Sequence, residues 1–501
     1  MGGVGGAVAY TQAVRTPAAS YGLIRTKEGV PVSATDQPPS PRARADRAVT
    51  GGGDVIPLPQ ATRAWFAISW QTFGGPAGQI AVMQRALVED KRWIGQQRFN
   101  HALSYCMLLP GPEAQQLAIY TGWLLNGTRG GLIAGTLFVL PGVLALLALS
   151  ALYVAFGSTA AVTGVFAGLA PAVVAIVAQA VSRVAQRSLN HPLLIALAVA
   201  SFAALALFAV PFPVVIAAAA LAGWLIGRYR PDALKPSGGH GADDGPAPLI
   251  PDDALHHEQP SRRRTWRILA SGLLLWAVPV AAVALLTGTG SVFTTQSVFF
   301  SGTALVTFGG AYAVLAYVAQ QAVQTYGWLT PKEMVSGLAL AETTPGPLIM
   351  VVQFVAFLGA YRDPGTLAPW AAALLGALLT TWVTFVPCFL FIFLGAPYIE
   401  RLRGNRRISA ALTGITAAVV GVIANLALYF AEHALFTDVD EKTFGPVTLA
   451  LPDLGTLRPA ALVITAIAAL LIFKVRWGVL RTLGICAVLG LGAALAGLPG
   501  I

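Results

Sequence analysis

The tetrapeptide Thr72-Phe73-Gly74-Gly75 recurs later in the chain as Thr307-Phe308-Gly309-Gly310, and the repeat that it marks decides the fold. A second motif, Pro110-Gly111-Pro112, recurs as Pro345-Gly346-Pro347, and one tryptophan lies between the two motifs in both copies. All eight identical residues share one offset of 235 positions without a gap. Such agreement is hard to attribute to composition, so we interpret the chain as two homologous halves.

The composition around these motifs is that of a membrane protein. Of the 501 residues, 56% are hydrophobic and 11% are charged, against about 25% charged in soluble globular proteins. The apolar stretches form a series of six and a series of seven: 61–84, 99–125, 130–156, 160–182, 191–210 and 212–227, then 267–289, 292–320, 333–360, 367–398, 409–431, 459–473 and 477–499. We therefore predict an all-α polytopic membrane protein with about 13 transmembrane segments of roughly 20 residues each.

The organisation along the chain follows from these stretches. We expect a disordered cytoplasmic tail (1–60), a first transporter repeat (61–227), a cytoplasmic linker (228–265), a connecting transmembrane helix (266–290) and a second transporter repeat (291–501). Seven crossings would separate equivalent points of the repeats, and an odd number inverts the second repeat relative to the first. Beyond the motifs, Pro141 aligns with Pro387, so the second repeat carries an extension of 11 residues.

The basic residues indicate the orientation in the inner (plasma) membrane. With the amino terminus and the linker in the cytoplasm, most basic loops are cytoplasmic, as the positive-inside rule requires. These loops carry Arg183, Arg187, Arg228, Arg230, Arg401, Arg403, Arg406, Arg407, Lys474 and Arg476. The loop at 85–98 disagrees, because the same count places its basic residues outside.

Each repeat contains two places where a helix cannot remain regular. A Gly-Gly pair has low helix propensity, and proline removes an amide hydrogen and clashes with the preceding turn. A break inside hydrocarbon is tolerated where the freed backbone lines a cavity, and the amide end of a half-helix suits an anion. The alternative for each motif is a simple kink. The residues expected to bind substrate are Thr72, Phe73, Gly74, Gly75, Gln79, Pro110, Gly111, Pro112, Thr307, Phe308, Gly309, Gly310, Pro345, Gly346 and Pro347.

Charged side chains near the breaks suggest further roles. Glu113 and Glu342 are candidates for proton coupling, since ionisable residues in apolar segments are often functional. Glu113 has an equally simple alternative role as an acidic residue at a helix start. The cations expected to attract an anion are Arg85, Lys91, Arg92 and Arg98. We expect no catalytic residue, metal site or cofactor, because no nucleophile–base pair, ligand cluster or nucleotide-binding loop occurs in the sequence.

Four runs of residues resemble the chromate ion transporter family: Phe73 to Ile80, Lys91 to Ile94, Met107 to Glu113, and Glu342 to Pro347. The likeness covers roughly residues 61–400 and is that of the long, two-domain form. It implies two homologous halves of opposite orientation and a secondary transporter that exports chromate and confers chromate resistance. Sulfate, a tetrahedral dianion of similar size, is the implied competitor. Many members have Gln at the place of Met107, so the resemblance gives that position no anion-binding role here.

The residues alone leave other functions open. The first is a sulfate-type oxyanion importer or exchanger on the same scaffold, and the second is a membrane scaffold subunit that transports nothing. The expected partners are chromate or sulfate and the lipid bilayer, with no nucleic acid despite a net charge of +10. A homodimer is compatible with the sequence, which contains no signal for or against it.

Overall fold

The computed structural model describes residues 54–230, 248–250, 261–308, 310–396, 406–445 and 447–497. The tail expected at 1–60 lies outside the described residues up to position 53, as does most of the linker expected at 228–265. Within the described ranges the chain is helical apart from turns and one β-hairpin.

Seven helices form the first half of the chain. They are α1 (Leu58–Ser69), α2 (Gly75–Gln84), α3 (Gln96–Cys106), α4 (Glu113–Phe156), α5 (Ala160–Ser188), α6 (Pro192–Ala206) and α7 (Phe212–Tyr229). Helix α2 continues as a π-helical turn over Arg85–Asp90.

Helix α4 reverses direction at Asn126 and Gly127, whose backbone angles are not helical. A β-carbon placed on Gly122 would lie 2.6 Å from the β-carbon of Ala134, whereas twelve residues of straight helix span about 18 Å. The first arm of α4, residues 113–125, therefore packs antiparallel on the second arm, residues 128–156. Small residues at the crossing allow the two backbones to approach this closely.

Helix α8 (Arg262–Thr287) joins the halves, and none of its residues is buried. The second half contains α9 (Val292–Val306), α10 (Ala311–Gln320), α11 (Pro331–Thr343), α12 (Val351–Arg362), α13 (Pro369–Gly395), α14 (Arg406–Leu435), α15 (Pro459–Ala469) and α16 (Val479–Leu495). Helices α10 and α15 continue as π-helical turns, Gln321–Thr325 and Leu470–Lys474, and a 3-10 turn, Leu348–Met350, precedes α12. The order repeats that of the first half, with α12 and α13 in the places of the two arms of α4.

Six helices in the described part of the chain are long and apolar enough to cross a membrane: α4, α5, α7, α8, α13 and α14. Shorter apolar helices, among them α6, α9, α12, α15 and α16, accompany them. The predicted fold class, an all-α polytopic membrane protein, is thereby confirmed.

Four of the expected spans fold as helical hairpins with the repeated motifs at their tips. The segments expected at 61–84, 99–125, 292–320 and 333–360 are each two short helices; α1, for example, is about 18 Å long, against a hydrocarbon core of about 30 Å. Contacts between the two helices of a hairpin show the reversal. The rings of Tyr105 and Tyr120 lie 5.6 Å apart, those of Phe299 and Tyr317 lie 5.5 Å apart, and Arg362 pairs with Glu333. Pro57 and Lys91 line one cavity between α1 and α2.

Backbone hydrogen bonds bring the loop at 85–98 to the same face as the linker. Leu249 N donates to Arg92 O at 3.1 Å, and Gly95 N donates to Ile250 O at 3.1 Å. This corrects the expectation that the loop lies opposite the linker. The reason is that the first two hairpins return to the face from which they start, so neither counts as a crossing. Five crossing helices, rather than seven, then separate equivalent points of the two halves. Five is also an odd number, so the inverted orientation of the second half remains the prediction.

Glycines also make close helix contacts that join one half to the other. A β-carbon placed on Gly168 of α5 would lie 3.0 Å from Gly490 Cα of α16. One placed on Gly223 of α7 would lie 2.7 Å from Gly414 Cα of α14. Because α14 is the counterpart of α5 and α16 that of α7, the two contacts are equivalent, with the two halves exchanged.

The sequence analysis missed the β-hairpin formed by β1 (Val439–Phe444) and β2 (Val447–Pro452). The strands pair antiparallel, with Val439 opposite Pro452 and Phe444 opposite Val447. Thr448 N donates to Leu207 O at 2.8 Å, which ties the hairpin to the turn between α6 and α7. Alternating apolar residues in Val-Thr-Leu-Ala-Leu, after a Gly-Pro pair, are the signal that indicates this strand.

Candidate functional site

The four hairpin tips meet in the interior of the protein, and they exchange backbone hydrogen bonds between the halves. Gly111 N, in the Pro-Gly-Pro tip of the first half, donates to Thr307 O of the second at 2.8 Å. Gly346 N donates to Thr72 O at 3.0 Å and lies 3.2 Å from Thr72 Oγ1. Because these two bonds join equivalent residues in exchanged roles, the tips are related by an approximate two-fold axis.

A second pair of contacts obeys the same two-fold relation. A β-carbon placed on Gly142, in the second arm of α4, would lie 2.5 Å from Pro345 O. Its aligned counterpart in α13 is Cys388, whose Sγ would lie 2.9 Å from a β-carbon placed on Gly111. The two long helices that follow the hairpins thus press against the Pro-Gly-Pro tip of the other half. Sequence analysis missed both residues, although each directly follows one of the aligned prolines.

The tip glycines adopt conformations that side chains with a β-carbon rarely adopt. Gly74, Gly111, Gly310 and Gly346 have φ of +82°, +122°, +100° and +98°, so glycine is required for the sharp turns. A new helix then starts at each tip: α2, the first arm of α4, α10, and the turn that leads into α12. The first amides of a helix have no intrahelical acceptor and carry partial positive charge. Four such ends converge here, which makes the region electrostatically suited to an anion.

Amide side chains buried around the tips have unused hydrogen-bonding capacity. Gln79 Nε2 donates to Gly346 O at 2.5 Å, and its Oε1 has no partner among the described residues. Gln116 Nε2 donates to Pro110 O at 2.7 Å. Neither amide atom of Gln115, which is 1% exposed, has a partner within the described ranges. Since buried polar groups are normally paired, these atoms are available to a polar ligand.

Two carboxylates occupy different places at the tips. Tyr312 Oη donates to Glu342 Oε1 at 2.5 Å, and Glu342, 2% exposed, has no partner for Oε2 in the described part of the chain. Glu113 Oε1 faces the start of α10, 3.0 Å from the position of a β-carbon on Gly310. The aligned residues, Met107 for Glu342 and Leu348 for Glu113, are apolar. Tyr312, aligned with an alanine, could not be found from the repeat.

The structure brings together most of the residues predicted to bind substrate. Buried at the tips are Thr72, Gly75, Gln79, Gly111, Pro112, Thr307, Pro345, Gly346 and Pro347, while Phe73, Gly74, Pro110, Phe308 and Gly310 are partly buried. Gly309 lies outside the described residues.

The four cations expected to attract an anion do not form one cluster. Arg85 and Lys91 line a cavity of about 610 Å³ between α1 and α2, together with Arg63 and Asp90. The Lys91 ammonium also lies 5.2 Å from the ring centre of Trp93. Arg92 is in the loop bonded to the linker, whereas Arg98 is a buried residue of α3, 5% exposed.

Comparison with known proteins agrees with this architecture. The family model described as "Chromate transporter" matches residues 60–224 and 295–496. The chain is 32% identical over 403 residues to the "Chromate transport protein" of Pseudomonas aeruginosa, covering 78% of this chain and 86% of the relative. It is 29% identical to the protein of that name from Cupriavidus metallidurans, covering 76% and 84%. It is also 26% identical to the "Probable chromate transport protein" of Synechococcus elongatus, covering 83% and 96%. No solved structure matches.

The relatives are named as transport proteins and not as enzymes, and they match over most of their own length. Both halves of this chain match the family model, and each half contains two helical hairpins with a repeated motif at the tip. The chain therefore belongs to the chromate transporter family, in the long form with two homologous halves.

Proposed function

We propose that this protein is a secondary transporter that exports chromate from the cytoplasm across the inner membrane, with the four hairpin tips as its substrate site. The observation that carries the proposal is the two-fold exchange of hydrogen bonds between the tips, through Gly111 with Thr307 and Gly346 with Thr72. It brings four helix starts, two from each half, around one point. A tetrahedral dianion has four oxygens that accept hydrogen bonds, and helix starts supply donors without a buried positive side chain.

Side chains at the tips would complete the coordination of the oxyanion. Gln79 is fixed by its bond to Gly346 O, and the Gln115 amide is buried with both of its polar atoms unpaired. Tyr312 holds Glu342 next to the start of α2, since its hydroxyl donates to Glu342 Oε1 and its oxygen lies 3.6 Å from the position of a β-carbon on Gly75. These groups orient a ligand through hydrogen bonds, and an apolar surface of the same shape would not.

The distribution of charge supports outward transport. The cavity that contains Arg63, Arg85 and Lys91 belongs to the hairpin whose loop is bonded to the linker, which we place in the cytoplasm. Cations there raise the local concentration of a dianion on the inner side. Moving one charge through 100 mV is worth about 2.3 kcal/mol, so a dianion that leaves a negative interior gains about twice that. Export of chromate on this gradient would confer chromate resistance.

Glu342 is our candidate for proton coupling. It is buried, it accepts a hydrogen bond from Tyr312, and its second oxygen is free of partners within the described residues. A protonated Glu342 donates from that oxygen to the anion, whereas the ionised form repels it. Exchange of this proton would couple proton movement to the movement of chromate.

Chromate flux in proteoliposomes tests the proposal. The vesicles are right-side-out, contain chromate and have an imposed potential that is negative inside. We expect efflux of chromate that accelerates with the potential and is reduced by sulfate. Vesicles without protein give the background rate. Faster transport of sulfate, with chromate excluded, would instead support an importer or exchanger for sulfate-type oxyanions. Absence of any anion flux above background would support a membrane scaffold and overturn the proposal.

A further inference from the structure

The two-fold axis relates the start of α2, at Gly75, to the start of α10, at Gly310, but the groups that face them differ. At Gly75 the nearest side-chain atom is the Tyr312 hydroxyl, 3.6 Å from the position of a β-carbon. At Gly310 it is the Glu113 carboxylate oxygen, at 3.0 Å. The Tyr312 hydroxyl is uncharged and donates its one proton to Glu342, whereas the Glu113 carboxylate is itself an anion.

We propose that the Glu113 carboxylate is a tethered anion that occupies the second of two equivalent oxyanion sites, so that the protein binds one dianion at a time. The inference rests on the proposed function, because it takes the tips as the oxyanion site. A carboxylate at a helix start forms the same favourable interaction with the partial positive charge that an oxyanion forms there. It also costs less ordering entropy than a free ion, because Glu113 is held by the helix that it begins.

The repeat identifies Glu113 as a feature of one half alone. Its aligned residue in the second half is Leu348, an apolar side chain that carries no charge to the start of α2. The start of α2 is therefore left to the substrate, with Tyr312 beside it.

The simpler alternative is that Glu113 only stabilises the start of its own helix, the first arm of α4. That role predicts a loss of stability on substitution but no new binding site. The control for it is Glu333, which is also an acidic residue in the first turn of a helix but lies at the far end of α11 from the tip. Glu333 closes a capping box with Thr330 and pairs with Arg362.

The number of chromate ions bound per chain decides between these roles. We would purify the full chain, Glu113→Gln and Glu333→Gln in detergent, and count bound chromate by equilibrium dialysis at saturation. We expect one ion for the native protein and for Glu333→Gln, and two for Glu113→Gln. Glu113→Leu, which copies the residue of the second half, gives the same test if the Gln variant does not fold.

The outcomes separate the inference from the function on which it rests. One ion for every variant, or two for the native protein, would overturn the tethered anion and leave the oxyanion site in place. Absence of bound chromate in all variants, with native melting temperatures, would overturn the proposed function together with the inference.

Discussion

Replacing Gly142 with Ala should disable the substrate site without touching a motif residue. The added β-carbon would lie 2.5 Å from Pro345 O, whereas β-carbons in proteins essentially never come within 3.0 Å of another heavy atom. The second arm of α4 and the Pro-Gly-Pro tip must therefore separate by about 0.5 Å, and overpacking of this kind costs about 1–3 kcal/mol.

The displacement falls on the peptide groups that join the halves. Gly346 N lies 3.0 Å from Thr72 O, and a further 0.5 Å would take that hydrogen bond beyond the usual limit of about 3.2 Å. Loss of this buried hydrogen bond costs roughly 1 kcal/mol. The same displacement moves the amides of the turn that leads into α12, and about 1.4 kcal/mol lost in their contact with chromate weakens its binding about tenfold.

Two measurements on one preparation test this reasoning: chromate flux in proteoliposomes and the melting temperature in detergent. We expect Gly142→Ala to lose at least tenfold in flux and to melt at a lower temperature. The matched control is Gly302→Ala in α9, where nothing lies within 4 Å of the added carbon and alanine favours the helix by about 1 kcal/mol. Native flux and native chromate affinity in Gly142→Ala would refute the role given to this contact.

Three further predictions concern the tips, the proton and the topology. Substitution of both Gly111 and Pro112 by Ala should abolish flux in a folded protein. Gly131→Ala should instead reduce expression, since its β-carbon would lie 2.7 Å from Phe393 Cε1. Normal transport by the first variant would show that the break is only a kink. Glu342→Gln should flatten the pH dependence of chromate flux, because it removes the ionisable carboxyl, and Tyr312→Phe should shift that dependence, because it removes the hydrogen bond that Glu342 accepts. An unchanged pH profile in both variants would exclude Glu342 as the coupling site. Cysteines introduced at positions 45, 90 and 245 should be protected from an impermeant reagent in intact cells, and one at position 445 should be labelled; labelling of position 90 or 245 from outside would contradict the topology.

The repeated motifs predict where the helices break, but not what the chain does at the break. A Gly-Gly pair is compatible with a kink, after which the helix continues, and with a full reversal. Hydropathy cannot separate these cases, because residues 61–84 form one predominantly apolar stretch in either geometry. The choice is made by tertiary contacts such as the hydrogen bond from Leu249 N to Arg92 O, which joins segments over 150 residues apart.

Some site residues outside the motifs can be predicted from the repeat, and others cannot. Gly142 and Cys388 are aligned in the repeat, so their contact with the tips could have been found by following the alignment beyond the prolines. Tyr312 has no polar counterpart in the first half, and its bond to Glu342 depends on how α10 packs against α11. No spacing rule in the sequence gives that distance.

The exchange of hydrogen bonds between the tips has an evolutionary consequence. Neither half satisfies its own tip, since the amide of Gly111 and the carbonyl of Thr72 both find their partners in the other half. An ancestor consisting of a single half would have needed a second copy of itself, with identical residues on both sides of the two-fold axis. Fusion of two copies into one gene releases that constraint, because each copy then mutates alone. The carboxylates at 113 and 342, each matched by an apolar residue in the other half, are departures from symmetry that only the fused chain can carry.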